Sequence, residues 1–206
     1  MMETELLSQE KKRLRRAAAE VMDGFPPNAR KEASGKITER VLSLPLYRQA
    51  ASIFIYVSTD REPDTRALIE DAWNTGKAVY VPKCCGQGRM DAVRVYDWND
   101  LAPGAYGIPE PKNAPADSAF SPIDLAVVPC VCASPDGRRL GHGAGYYDRF
   151  LQARPMPCLC LCFQALLRED VPTGPLDRPM DAVITEEGFF SKTISFLYGQ
   201  NSPQGL

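Results

Sequence analysis

The chain has 206 residues, 44% of them hydrophobic and 24% charged, and its 24 basic and 26 acidic side chains give a formal net charge of -2. A balance this close to neutral argues against a nucleic-acid or membrane-surface binder. No apolar run reaches the about 18 residues of a spanning helix, and the polar N-terminus is unlike a signal peptide. We therefore expect a cytoplasmic monomer with one domain over residues 1–199 and a disordered tail at 200–206.

Apolar residues at helical spacing predict a first helix from Leu6 to Met22. The basic run K-K-R-L-R-R lies inside it, and Lys12 and Arg13 suit a solvated face. Lys11 and Arg15 fall between the apolar positions, where a cation needs an anionic partner on the protein side. Their pattern leaves a structural and a functional role equally open.

The segments that follow alternate between strands and helices. Proline is tolerated in a first helical turn, which predicts a second helix from Pro26-Pro27 to Pro45. The further predicted elements are a buried strand at Ala51 to Val57, a helix capped by Asp64 or Thr65 and ending at Gly76, and strands at Lys77 to Pro82, Arg89 to Tyr96 and Ile123 to Val128. This alternation predicts an α/β fold, a mainly parallel sheet with helices on both faces and an N-terminal helical pair.

The stretch Asp100 to Pro111 has neither helical nor strand period, and its Pro and Gly content predicts an ordered loop that places Tyr106 and Ile108, or else a linker. A surface loop follows at 112–122. The remaining predicted elements are a helix at Tyr146 to Gln152, a strand at Cys158 to Phe163, a loop at Val171 to Arg178 and a strand at Met180 to Thr185.

The seven cysteines contain no C-x-x-C motif. Cys158, Cys160 and Cys162 alternate, so a strand would place their thiols on one face, where free cysteine packs as a small hydrophobe. A thiol metal site is the less favoured alternative. The only histidine, His142, lies between glycines and would be a poorly oriented base for a nucleophile.

The segment 137–150 reads G-R-R-L-G-H-G-A-G-Y-Y-D-R-F. Glycines at every second position allow backbone amides to approach an anion, and Arg138, Arg139 and Arg149 add positive charge. The spacing is neither that of a P-loop nor that of a dinucleotide fold. The pattern predicts a ligand that carries phosphate, with a plain glycine-rich turn and solvated arginines as the alternative.

Glu62 lies in the loop after the first predicted strand. Ligands of parallel sheets bind beyond the carboxyl ends of the strands, so this position favours a role in binding. A solvated surface charge is the other interpretation.

Several segments belong together when taken in chain order. They are K-K-R-L-R at 11–15, E-P-D-T at 62–65, G-A-Y-G-I-P-E-P at 104–111, D-L-A-V-V-P at 124–129, D-G-R-R-L-G-H-G-A-G-Y-Y-D-R-F-L at 136–151 and D-R-P-M-D-A-V-I-T-E at 177–186. This series resembles the 5-formyltetrahydrofolate cyclo-ligase family, also called methenyltetrahydrofolate synthetase. The R-L-G-x-G-x-G-Y-Y-D core is its most specific part.

The resemblance implies a single-domain α/β enzyme that uses ATP and Mg²⁺ to convert 5-formyltetrahydrofolate to 5,10-methenyltetrahydrofolate. The small-molecule substrate would carry one or several glutamates, and ADP and phosphate would be released. In the implied chemistry the formyl oxygen attacks the γ-phosphate, and nitrogen 10 then closes the ring.

The resemblance also implies site residues. For ATP they are Lys11, Lys12, Arg13, Leu14, Arg15, Arg139, Leu140, Gly141, His142, Gly143, Ala144, Gly145, Tyr146 and Tyr147. For the folate they are Val57, Glu62, His142, Gly143, Ala144, Gly145 and Tyr146, and for the metal Asp148 and Asp181. The implied catalytic residues are Arg139, Lys11 and Tyr146.

One segment departs from the family pattern. Residues 129–134 read P-C-V-C-A-S where family members read close to P-G-L-A-F-D. The change leaves two alternatives open, an ATP-dependent phosphotransferase or ligase with another acceptor and a non-catalytic folate-binding relative.

Overall fold

The protein begins with three helices, followed by a sheet that provides the frame of the fold. The computed structural model describes residues 2–86, 88–104, 107–112 and 122–191, and of residues 2 and 3 the backbone alone. Tyr106, most of the predicted surface loop at 112–122 and the tail at 200–206 lie outside these residues. Within the described part of the chain, no helix is both long and apolar enough to cross a membrane.

The N-terminal helices are α1 (Met2–Asp23), α2 (Pro27–Ser43) and α3 (Pro45–Gln49). Proline at the start of α2 and of α3 occupies a position where a helix needs no amide donor. The predicted helical pair is confirmed. Pro45 also starts a short helix of its own, because the extended backbone of Leu44 before it resets the chain direction.

The remaining elements, in chain order, are β1 (Ser52–Ile55), α4 (Arg66–Asn74), β2 (Ala78–Cys84), β3 (Met90–Val95), β4 (Leu101–Pro103), β5 (Pro109–Pro111), β6 (Leu125–Val128), β7 (Cys132–Ala133), β8 (Arg139–Leu140), α5 (Tyr146–Ala153), β9 (Cys158–Leu161), β10 (Ala182–Ile184) and β11 (Phe189–Ser191). Seven strands form one sheet in the order β11-β10-β9-β6-β1-β2-β3. The five inner strands run parallel, and the edge strands β3 and β11 pair antiparallel with their neighbours. The predicted mainly parallel sheet is confirmed.

Both faces of the sheet are covered. Phe54 of β1 stacks on Phe150 of α5, with ring centroids 4.5 Å apart. Ile53 and Ile55 point to the opposite face because side chains alternate along a strand, and both are fully buried. Helices therefore pack on both sides of the sheet, as predicted.

Short strand pairs appear where the sequence showed no strand period. Strands β4 and β5 pair antiparallel within the stretch predicted as a loop, and β7 pairs with β8 ahead of the glycine-rich segment. Strands of two or three residues, with prolines at Pro103, Pro109 and Pro111, are too short to produce a periodic pattern. The edge strand β11 escaped prediction for the same reason of length.

All seven cysteines lie in the described residues, and none forms a disulfide. Cys158, Cys160 and Cys162 are fully buried in and beside β9. Burial raises the pKa of the Cys158 thiol to about 12, so it stays protonated and packs as an apolar group. The described residues contain no metal-binding cluster of His, Cys, Asp and Glu. The preferred interpretation as core packing is confirmed.

Candidate active site

Two adjoining cavities open at the carboxyl ends of β1, β2 and β6. The first, here the cationic cavity, has a volume of about 340 Å³ and is lined by Lys11, Arg15, Arg139 and the segment 140–148, here the glycine loop. The second, here the apolar cavity, has a volume of about 430 Å³. Both are lined by Pro129, His142, Ala144, Tyr146 and Tyr147. The glycine loop is therefore a wall common to both cavities.

Helix α1 supplies the two cations that the sequence placed beside its apolar face. Lys11 Nζ lies 2.5 Å from Asp177 Oδ2, and Arg15 Nε donates to the carbonyl oxygen of Gly141 at 2.8 Å. Asp177 also accepts from the amide of Gly174, at 2.6 Å. The predicted anionic partner is confirmed for Lys11, whereas the inward partner of Arg15 is a neutral carbonyl group. Asp177 itself escaped prediction because it lies 166 residues from Lys11 in the chain.

The rest of the basic segment does not reach the cationic cavity. Lys12 and Arg13 are exposed, and Leu14 packs against the core. Residues 11–15 make slightly more than one helical turn, so their side chains spread around the helix axis and cannot all face one cavity. The structure thus brings two of the five implied ATP contacts of α1 into this cavity.

The glycines of the loop make room for guanidinium groups. A Cβ added at any of the three alternating positions would come within 3.4 Å of an arginine side chain, and at Gly143 and Gly145 the backbone φ is also positive. The pairs are Gly141 with Arg139, Gly143 with Arg15 and Gly145 with Arg149. Packing against guanidinium groups therefore leaves little room for a Cβ at Gly141 and Gly145, whereas at Gly143 the positive φ favours glycine.

Arg139 is the buried cation of this site. Its side chain is 2% exposed, and it donates to the carbonyl of Pro129 at 3.3 Å and to Asp148 Oδ1 at 2.8 Å. Its Nε is buried and has no acceptor among the described residues. The neighbouring Arg138 turns away and pairs with Asp136. Of the two adjacent arginines, only Arg139 gives its charge to the cavity.

The two predicted metal ligands lie in different places. Asp148 lines the cationic cavity, where Oδ1 accepts from Arg139 and from the amide of Arg178, and Oδ2 accepts no hydrogen bond from a described residue. Asp181 Oδ2 accepts from the amide of Cys158 at 2.8 Å, at the amino end of β9. The structure therefore brings Asp148 to the cavity and places Asp181 at the opposite edge of the sheet.

Glu62 is held by the turn that follows β1. Its side chain is 7% exposed, and Oε2 accepts from the amide and the hydroxyl of Thr59, both at 2.9 Å. Its Oε1 lies 3.4 Å from Nε2 of His142. Burial alone would raise the pKa of Glu62, but the hydrogen bonds from His142 and Thr59 hold this pKa below its ordinary value. Glu62 is thus a buried carboxylate at neutral pH and not a solvated charge.

This lowered pKa predicts a pH-dependent contribution to stability. Ionised Glu62 stabilises the fold above the ordinary value of 4.5, and this stabilisation is lost as pH falls through the lower folded pKa. The free energy of unfolding of Glu62→Gln should therefore lie below that of the parent protein at neutral pH, and the gap should close in acid. Urea denaturation at neutral and at acidic pH measures this difference in the free energy of unfolding, and Glu39→Gln, at an exposed position, is the control. A gap independent of pH would contradict the assignment.

The apolar cavity combines predicted residues with others that the sequence did not single out. Val57, Glu62 and Tyr146, which the resemblance assigns to the folate, line it. The remaining side chains come mainly from the ends of β2 and β3 and from the β4–β5 connection, namely Pro82, Cys84, Met90, Ile108 and Glu110. These residues reach the cavity only because β2 pairs with β3 and β4 pairs with β5, so no local sequence motif predicts their place. The place of Ile108 favours the ordered loop over the linker for this residue, while Tyr106 lies outside the described residues.

The atypical segment lies beside the site. Pro129 lines both cavities, but none of residues 130–134 lines either one. Cys130, Cys132 and Ala133 are buried in the core, and the Cys130 thiol donates to the carbonyl of Leu161 at 3.3 Å. Cys130 and Val131 instead line a smaller cavity, of about 210 Å³, together with Arg15, Glu62 and His142. The atypical residues therefore border the site without lining the cationic or the apolar cavity.

The fold and the paired cavities define the class of this protein, an α/β enzyme with its site at the carboxyl edge of a parallel sheet. Residues 7–186 match the sequence model of the 5-formyltetrahydrofolate cyclo-ligase family, and the chain belongs to this family. The expected family resemblance is confirmed.

Known relatives agree with this membership. The 5-formyltetrahydrofolate cyclo-ligase of Escherichia coli is 30% identical over 168 residues, which cover 77% of this chain and 91% of that protein. A probable cyclo-ligase of Schizosaccharomyces pombe is also 30% identical over 168 residues, with 73% and 82% covered. The solved structure of Aquifex aeolicus 5,10-methenyltetrahydrofolate synthetase has the same fold, with a TM-score of 0.77, 24% identity and 95% of each chain covered.

Proposed function

We propose that the protein catalyses the ATP- and Mg²⁺-dependent cyclisation of 5-formyltetrahydrofolate to 5,10-methenyltetrahydrofolate, with release of ADP and phosphate. The observation that carries this proposal is the common wall of the cationic and apolar cavities. A phosphate in one cavity and a flat heterocycle in the other would meet where the two cavities adjoin, beside the residues that line both. The reaction would run in a cytoplasmic monomer, on a substrate with one or several glutamates.

The cationic cavity suits a triphosphate. Phosphoryl transfer needs chiefly positioning and stabilisation of negative charge on the transferring group. Lys11, Arg15 and Arg139 bring three positive charges to the cavity, and the Nε of Arg139 is a buried donor without an acceptor among the described residues. We assign Lys11 and Arg139 to charge stabilisation at the γ-phosphate.

The same cavity offers a place for Mg²⁺. This ion prefers hard oxygen ligands and binds through one or two carboxylates together with phosphate oxygens. Asp148 Oδ2 is the open carboxylate oxygen at this position, and Arg139 fixes the other oxygen. When bound, the ion would neutralise charge on the phosphates. Asp181 stays a second proposed ligand on family resemblance alone.

The apolar cavity suits the pterin ring system. Val57 and Tyr146 offer apolar and aromatic surface, and the ionised Glu62 can accept hydrogen bonds from the amide and amine groups of a pterin. Glu62 also borders His142 of the glycine loop. A ring held by Glu62 would place its formyl group near the wall common to both cavities.

The proposed chemistry begins when the formyl oxygen attacks the γ-phosphorus, the bond to the β,γ-bridging oxygen breaks and ADP leaves. The lone pair of nitrogen 10 then attacks the formyl carbon, nitrogen 10 gives up its proton, and the carbon–oxygen bond breaks to release phosphate. Arg139 and Lys11 stabilise the charge on the transferring group. Tyr146, on the wall between the cavities, orients the two substrates.

The proposal is tested by the stoichiometry of ADP release. Purified protein with Mg²⁺ and ATP should release one ADP for each methenyl product formed, and omission of the folate should abolish this release. Binding of Mg²⁺-ATP without any folate-stimulated ADP release would contradict the proposal and favour a different acceptor. The observation that bears on that alternative is the place of Cys130 and Val131, which line neither the cationic nor the apolar cavity but a smaller cavity shared with Glu62 and His142.

Lys11 and Lys12 form a matched pair for mutation. Lys11→Ala should lower kcat/KM for ATP by about 10²-fold, because it removes a charge next to the phosphates. Lys12→Ala removes an exposed charge on the same helix and should change this value less than about twofold. Steady-state kinetics with ATP as the varied substrate measure both. Equal losses in the two variants would contradict the specific role of Lys11.

A further inference from the structure

Arg149 bridges two segments that wall the apolar cavity. Its Nε donates to the carbonyl of Gly88 at 2.9 Å, and its Nη2 donates to the carbonyl of Ala144 at 2.5 Å. Gly88 lies in the turn between β2 and β3, and Ala144 lies in the glycine loop. Cys84 and Met90, which flank this turn, line the apolar cavity together with Ala144. One guanidinium group thus connects the hairpin turn with the glycine loop.

Glycine at positions 88 and 145 leaves space for the Arg149 side chain. At Gly88, with φ +73°, an added Cβ would lie 2.2 Å from Nη2 of Arg149. At Gly145, with φ +67°, an added Cβ would lie 2.9 Å from Nη1. A larger residue at either position would displace the guanidinium group. The contact is therefore closely packed on both sides.

The hydrogen bonds within the turn do not tie it to the glycine loop. Cys85 donates its amide to the carbonyl of Arg89, and the Arg89 amide donates to the carbonyl of Gly86, both at 2.9 Å. These bonds close the turn on itself. A rigid fork of donors on Arg149 can hold two carbonyl groups at once, which a lysine cannot do in the same geometry.

We propose that Arg149 is a positioning residue of the cyclo-ligase reaction, which clamps the β2–β3 turn against the glycine loop and so sets the width of the cavity that receives the folate. This inference rests on the proposed function. Arg149 itself lines neither cavity, so it acts through the two carbonyl groups and not through contact with substrate.

The kinetic test uses three variants. Arg149→Met keeps much of the side-chain length, loses the donors, and should raise KM for 5-formyltetrahydrofolate about tenfold, with KM for ATP and Tm near the parent values. The KM of Arg149→Lys for 5-formyltetrahydrofolate should lie between those of the parent protein and of Arg149→Met, because lysine keeps one donor group. Arg154→Met is the matched control and should leave both KM values unchanged. Arg154 lies five residues after Arg149, and its guanidinium group lies over the Phe150 ring, 4.8 Å from the centroid.

Two outcomes of this test would overturn the proposal. An unchanged folate KM in Arg149→Met would exclude the clamp. An equal rise of both KM values together with a lower Tm would show a general structural role instead.

A second readout needs no turnover. Hydrogen exchange of ligand-free protein should be faster across residues 85–90 in Arg149→Met than in the parent chain, and Gly88→Ala, which displaces the same guanidinium, should give the same effect. Unchanged exchange in this segment would overturn the clamp whatever the enzyme assay shows. A parent protein without cyclisation activity but with faster exchange in the variant would instead contradict the proposed function and leave the clamp in place.

Discussion

Arg139→Ala is expected to lower kcat/KM by about 10²-fold or more, on the order of 3 kcal/mol of lost transition-state stabilisation. The side chain is 2% exposed and is the most deeply placed cation of the cationic cavity. Its removal takes positive charge from the proposed site of phosphoryl transfer and leaves Asp148 without its ion-pair partner, with the Arg178 amide as its remaining donor. Single-turnover kinetics at saturating ATP separate the chemical step from binding.

The neighbouring residue provides the control. Arg138 carries the same charge but pairs with Asp136 and Asp170 outside the cavities, so Arg138→Ala should keep nearly the full rate. Arg139→Lys should recover only part of the activity, because a lysine cannot bond Pro129 and Asp148 with the geometry of a guanidinium group. Normal single-turnover kinetics in Arg139→Ala would exclude this role.

The second large effect is expected from Asp148→Asn. An amide keeps one oxygen but loses the negative charge that Mg²⁺ requires, so the Mg²⁺ concentration for half-maximal rate should rise about tenfold or more. The loss of charge also weakens the hold on Arg139, which lies 2.8 Å from Oδ1. Initial rates across a Mg²⁺ titration at fixed ATP measure the change. The assignment would not survive an unchanged Mg²⁺ dependence.

Asp181→Asn tests the other proposed ligand in the same titration. Family resemblance assigns Asp181 to the metal, whereas in the structure its carboxylate accepts the Cys158 amide at the amino end of β9. A shifted Mg²⁺ dependence would support the metal role. A lower Tm with unchanged Mg²⁺ dependence would identify Asp181 as a structural residue of the sheet edge and remove it from the proposed site.

The parts of the site that the sequence predicted are those with a strong local signal. Cations beside the apolar stripe of a helix need inward partners, and Lys11 and Arg15 have them in Asp177 and Gly141. The glycine loop was evident from its spacing, although the packing of arginines against its glycines was not. A binding role for Glu62 was favoured by the general rule that ligands bind beyond the carboxyl ends of parallel strands.

The parts that escaped prediction depend on long-range contacts. The apolar cavity is completed by Cys84 and Met90, which reach it because β2 and β3 pair as a hairpin at the edge of the sheet. The register of that pairing is a property of the whole fold. Asp177 could not be predicted for the same reason. It pairs with Lys11 only because α1 packs against a loop more than 150 residues later in the chain.

The two adjoining cavities are proposed to couple ATP to ring closure of a formyl folate. The most direct measurement is the near-ultraviolet absorbance of the methenyl product when the purified protein is mixed with 5-formyltetrahydrofolate. We expect absorbance to rise only when both ATP and Mg²⁺ are present, and to stop rising when either one is withheld. Product formation without ATP, or none with both present, would contradict the account.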